Sequence, residues 1–102
     1  MAQYFTLTRL GSKEPAILQD VDRAICQNIG TRFDDISWTE GWYDLIGFRL
    51  AMGHSFSQIT DYLNERIADT GIDMAWRDDY RTLLRINHYL MDNYTSDAWC
   101  GR

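Results

Sequence analysis

The chain predicts a mainly α domain of α+β class, with about four helices and a small N-terminal β-hairpin. Three observations point there: apolar residues recur at helical spacing over most of residues 20–94, helix starts are marked at Ser55 and Asp73, and one β-rich alternating run lies near the beginning. A length of 102 residues suits one hydrophobic core, so 1–102 is read as a single domain.

The alternating run is 4–10, rich in β-formers. A turn-like Gly11-Ser12-Lys13-Glu14 follows it. The segment 15–19 is expected to return as the second strand of a hairpin, with Pro15 at an edge or strand start; the competing reading starts a helix at Pro15. Asp20 then suits the N-cap of a helix to Asn28, with Val21, Ala24, Ile25 and Ile29 on its inner face and Gly30 as the stop. Residues 31–37 read as an acidic loop.

The second helix is expected over about 39–52, with Trp42, Ile46, Arg49 or Leu50, and Gly53 following its period; Gly41 and Gly47 weaken it, and suit close approach of another backbone. In the third, Ser55 and Gln58 match a capping box, Ile59, Tyr62, Leu63, Arg66 and Ile67 form the stripe, and Gly71 is the stop. The fourth, capped by Asp73, covers about 74–94 with Trp76, Tyr80, Leu83, Asn87, Leu90 and Tyr94 at near-heptad spacing and Leu84, Ile86 and Met91 broadening the apolar face. Residues 95–102 read as a short tail.

The third and fourth helices are expected to form an antiparallel pair. An acidic stripe (Asp61, Glu65, Asp69) on one faces a basic stripe (Arg77, Arg81, Arg85) on the other, if residues whose numbers add to 146 lie level. Asp69 would then meet Arg77, Glu65 would meet Arg81, and Asp61 would meet Arg85. Such exposed pairs contribute only about 0–1 kcal/mol each, so they would set register more than stability.

Composition narrows the function. The net charge is −5, and the segment 14–44 carries the whole excess, with seven acids against Arg23 and Arg32. Direct nucleic-acid binding, which uses clustered Lys and Arg, is not expected of such a chain. No apolar run approaches the roughly 20 residues of a membrane span, and Met1-Ala2-Gln3-Tyr4 begins no signal peptide. With Cys26 and Cys100 the only cysteines, two thiols in the cytoplasm are expected, a single disulfide between them being the alternative.

No catalytic motif appears, so no enzyme, cofactor or metal is expected. His54 sits at a helix junction where imidazoles bond local backbone. His88 and Asp92 share a helix face, but two ligands do not make a metal site. Asp78 and Asp79 are adjacent and point apart. The concentration of Trp and carboxylates at 34–44 remains. The expected contact surface is Asp34, Asp35, Trp38, Glu40 and Asp44, with Trp38 as anchor and the acids steering approach to a basic partner.

The runs GWYDLIGF at 41–48 and INHYLMDNY at 86–94 resemble small acidic proteins encoded by tailed phages and prophages. The resemblance implies a protein that binds and inhibits a host enzyme, nuclease or defence complex, some of its kind by presenting carboxylates where DNA phosphates would sit. A charge of −5 is modest beside the strongest DNA mimics. The alternative expectation is a nucleic-acid-binding regulator using the Arg77, Arg81 and Arg85 face. Homodimerisation through the aromatic surface is a further alternative.

Overall fold

The computed structural model describes residues 5–29 and 42–98. Strand β1, Phe5–Arg9, buries Phe5 and Leu7 and turns Thr6 and Thr8 outward. Its regular partner is strand β2, Tyr94–Ala98, antiparallel, with Phe5 opposite Ala98 and Arg9 opposite Tyr94. The chain does turn back after β1 through Gly11, whose positive φ of 86° suits glycine. The return is brief: an antiparallel bridge joins Thr8 to Pro15, and Ala16 N–H donates to the Leu7 carbonyl at 2.7 Å. Proline supplies no N–H for a longer ladder, and helix α1 (Leu18–Ile29) begins before one could form. The expected hairpin is thus a single bridge, and the expected C-terminal tail supplies the strand.

Helix α1 buries Val21, Ile25 and Ile29 as the 3.6-residue period requires, and Asp20 lies in its first turn rather than at its cap. A π-helical turn, Tyr43–Gly47, runs into the short helix α2, Phe48–Ala51. Here Trp42, Ile46 and Leu50 face the core. Gly47 is buried beneath the Phe5 ring, where an added Cβ would lie 2.7 Å from Cε1 and 2.9 Å from Cζ. The close approach is by a side chain, not by another backbone.

That contact sets two known effects against each other. Gly47→Ala improves helix propensity by about 1 kcal/mol, whereas forcing an atom into a packed site costs about 1–3 kcal/mol. Net destabilisation of about 1 kcal/mol is expected in urea unfolding, with partial recovery when Phe5→Leu is added. A more stable Gly47→Ala protein would contradict the packing.

Helix α3, Phe56–Ala68, starts on the expected capping box: Ser55 Oγ accepts from Gln58 N–H at 3.1 Å and Gln58 Oε1 accepts from Ser55 N–H at 2.8 Å. It ends before Gly71, with Asp69 as C-cap. Asp73 caps α4, Met74–Asn93, by accepting from Ala75 N–H. α3 and α4 form the most extensive helix–helix contact. Ile59 and Leu63 meet a face made by Leu83, Ile86, Asn87 and Leu90.

The levels are close to those read from the sequence, because Arg66 lies by Tyr80 and Arg77 by Asp69. Met91 and Trp76 depart from expectation: Met91 is exposed, and so is Trp76, at 60 %. At these levels Ala68 stands beside Asp78, so the first turn of α4 extends past the end of α3.

Candidate functional site

Of the expected contact residues, Asp34, Asp35, Trp38 and Glu40 lie outside the described residues. Asp44 is described and exposed, on the π-helical turn. Beyond it, the period that turns Trp42, Ile46 and Leu50 inward turns Asp44, Phe48 and Met52 outward. Phe48 is 63 % and Met52 58 % exposed, and the Met52 N–H donates to the Phe48 carbonyl at 3.1 Å, so the two are stacked one turn apart. A carboxylate followed by two large apolar side chains makes a ridge. Sequence reasoning stopped at Asp44 and missed its apolar half, although subtracting the buried phase would have found it.

What fixes this ridge lies on the opposite side of the same segment. Trp42 is buried, and its Nε1–H donates to Asp22 Oδ1 on α1 at 2.8 Å. Tyr43 packs between Trp42 and Phe5, with ring centroids 6.2 and 5.6 Å away. Arg49 lies with its guanidinium carbon 3.6 Å above the Tyr62 ring of α3.

The basic stripe on α4 is occupied differently from expectation. Arg77 Nε donates to the Asp69 carbonyl at 3.1 Å rather than to its carboxylate. Arg85 Nη2 donates to the Ile29 carbonyl at 2.9 Å. These two arginines close the C-terminal ends of α3 and α1, where unpaired carbonyls and the helix dipole favour a cation. Arg81 pairs within its own helix, 2.8 Å from Asp78. The cross-helix pairs Glu65–Arg81 and Asp61–Arg85 are not formed. Backbone carbonyls at helix ends compete well with flexible, hydrated carboxylates.

Arg66, on α3, reaches Tyr80 of α4 at 5.6 Å and Asp69 at 4.0 Å. Its pKa is raised above the ordinary arginine value, first by a hydrogen bond to Tyr80 and against the lowering effect of burial. Burial pushes the Tyr94 phenol up.

A cleft of about 430 Å³ opens between Leu50, the 53–56 junction and β2, with His54 and Asp97 on its lining. The local backbone bond expected of the His54 ring is made by its main-chain N–H, to the Arg49 carbonyl at 3.0 Å. Ser55 Oγ is held in the capping box. His88 and Asp92 are both exposed. Among the described residues, no three His, Cys, Asp or Glu side chains converge as a metal would require, and no helix is long and apolar enough to cross a membrane. No protein-family model, curated protein or solved structure matches the chain.

Proposed function

We propose that the chain is a non-catalytic protein-binding protein that docks the Asp44, Phe48 and Met52 ridge onto a basic surface of its partner, as an inhibitor of a host enzyme or defence complex would. The observation that carries this reading is the joint exposure of Phe48 and Met52 one turn apart beside an exposed carboxylate. Interface cores are rich in Phe and Met, and polar rims surround them. In sequence, Asp34, Asp35 and Glu40 precede the ridge with Trp38 among them, and acids of this kind would speed encounter with a positive surface.

The nucleic-acid alternative is less well supported. Arg77 and Arg85 are engaged by helix-end carbonyls and Arg81 by Asp78.

The test begins with affinity capture from a bacterial host, using the native chain and Phe48→Asp/Met52→Asp in parallel. It continues with surface binding of each protein the native chain retains selectively. Phe48→Ala is expected to weaken affinity by at least about tenfold, the effect of losing an apolar hot spot. Added salt is expected to slow association through screening. A partner bound equally well by the double variant, at a salt-independent rate, would remove the ridge from the interface.

A further inference from the structure

The sheet keeps one edge open. β1 is flanked on both sides, by β2 and by the bridge to Pro15, whereas among the described residues β2 pairs with β1 alone. The ladder fixes which backbone groups face that open edge. Leu10 N–H donates to the Asn93 carbonyl at 2.9 Å. In the same register Thr8 with Thr95 and Thr6 with Asp97 are the hydrogen-bonded pairs, and Leu7 with Ser96 is not. Leu7 accordingly turns its carbonyl away from β2, to Ala16. Ser96 likewise turns its N–H and carbonyl away from β1, and among the described residues neither is bonded there.

The cleft of about 430 Å³ follows this edge. It is lined by four consecutive residues of β2, 94–97, and by none of β1. A cleft over a sheet face would meet alternate side chains of both strands; one that meets a continuous run of a single strand lies along its edge. Leu50, Phe56 and Tyr94, all buried, form its apolar part. Asp97 is exposed on its lining, and among the described residues no cation comes within ion-pair distance of it. Four residues give about 13 Å of edge, the span of about four residues of an added strand. A second copy fits poorly, because the same 53–56 junction flanks its β2 and the two junctions would collide before the strands could pair.

We propose that the cleft takes an extended, basic segment of a partner protein as a third strand on β2. Residues opposite each other in a ladder share a face. The partner residue opposite Ser96 therefore lies on the face of buried Tyr94 and is apolar. Its neighbours lie on the face of exposed Thr95 and Asp97, where Lys or Arg meets the carboxylate. Main-chain bonds to Ser96 supply affinity, and the alternating side chains supply selectivity. None of Asp44, Phe48 and Met52 lines the cleft, so the site stands or falls apart from the ridge.

The experiment titrates the full ¹⁵N-labelled chain with the capped peptide acetyl-Thr-Lys-Val-Lys-Thr-amide, whose two lysines place one opposite Asp97 in either strand direction. A saturable downfield shift of the Ser96 amide is expected, and its hydrogen exchange should slow about tenfold at about ten times the Kd. Methylating the valine nitrogen removes the donor to the Ser96 carbonyl and blocks pairing, so affinity should fall about tenfold or more. Glutamate in place of both lysines should weaken binding by a similar factor. Ser96→Pro deletes the outward N–H without removing a bond to β1, the position where an edge strand tolerates proline, and should abolish binding. An unmoved Ser96 amide at millimolar peptide, equal binding of either control peptide, or native affinity in a Ser96→Pro protein with an unchanged thermal melt would each overturn the proposal. Should that variant fail to fold, the native chain with the three peptides decides alone.

Discussion

Trp42→Ala is expected to lower stability by about 3–5 kcal/mol, the range for emptying a buried aromatic site. Domains of this size hold about 5–15 kcal/mol in total. The thermal midpoint should therefore fall by on the order of 15–30 °C, read by circular dichroism. The magnitude follows from position: the indole is 1 % exposed, and its N–H is bonded to Asp22. Trp42 thus joins α1 to the start of the π-helical turn while filling the core. Trp42→Phe keeps most of the volume and drops the donor, so it should lose less. A Trp42→Ala protein within about 1 kcal/mol of the native chain, well below the cavity range, would show that the indole does not occupy the core.

Trp42 also shows how much of this fold could be read from residues alone. Its place is legible because Trp42, Ile46 and Leu50 repeat at one phase, and that phase also identifies Phe48 and Met52 as outward. Ser55 with Gln58 and Asp73 are legible for a different reason. A cap is a local hydrogen bond between residues two or three apart, so these two can be read without knowing the rest of the fold, whereas Asp20 falls inside a helix that starts earlier, at Leu18. Trp76 is not legible in this way, because helix phase gives a direction and not a cover: whether that direction is buried depends on where α3 stops.

Strand β2 was hidden more deeply. Tyr94-Thr95-Ser96-Asp97-Ala98 has little apolar alternation, and its pairing with β1 closes almost the whole chain. The arginine stripe shows a third kind of limit. Spacing revealed that Arg77, Arg81 and Arg85 share a face, but the ends of α1 and α3 that receive two of them are features of tertiary structure. The candidate ridge is legible from Asp44 onward, because Phe48 and Met52 follow it at the same helical spacing.

The second large effect concerns Asn87, a polar side chain with no exposed surface in the α3–α4 seam. Its Nδ2 donates to the Phe56 carbonyl at 3.1 Å and to Thr60 Oγ1 at 2.9 Å, while Oδ1 is buried without a donor. Asn87→Asp would turn the donor into an acceptor facing two oxygens, and would place a charge on a side chain with no exposed surface. A cost of about 3–5 kcal/mol at neutral pH is expected, as for an uncompensated buried charge. Burial must raise the folded-state pKa of the new carboxyl. The penalty should therefore be smallest below the unfolded value of about 3.9 and grow as pH rises toward the folded value.

Asn87→Leu should behave oppositely. It removes the orphaned acceptor, and Thr60 Oγ1 still donates to the Phe56 carbonyl at 2.9 Å. Its cost should stay within about 1 kcal/mol, since replacing a polar group by an apolar one of similar size can be nearly neutral. Asparagine would then contribute register rather than stability, because only one sliding position of α4 on α3 brings its amide to Phe56 and Thr60. Broadened amide resonances along both helices in Asn87→Leu, at near-native unfolding free energy, are the expected mark of that role. Equal stability of the Asp and Leu variants at neutral pH would mean the site is wet, and the register argument would fail with it.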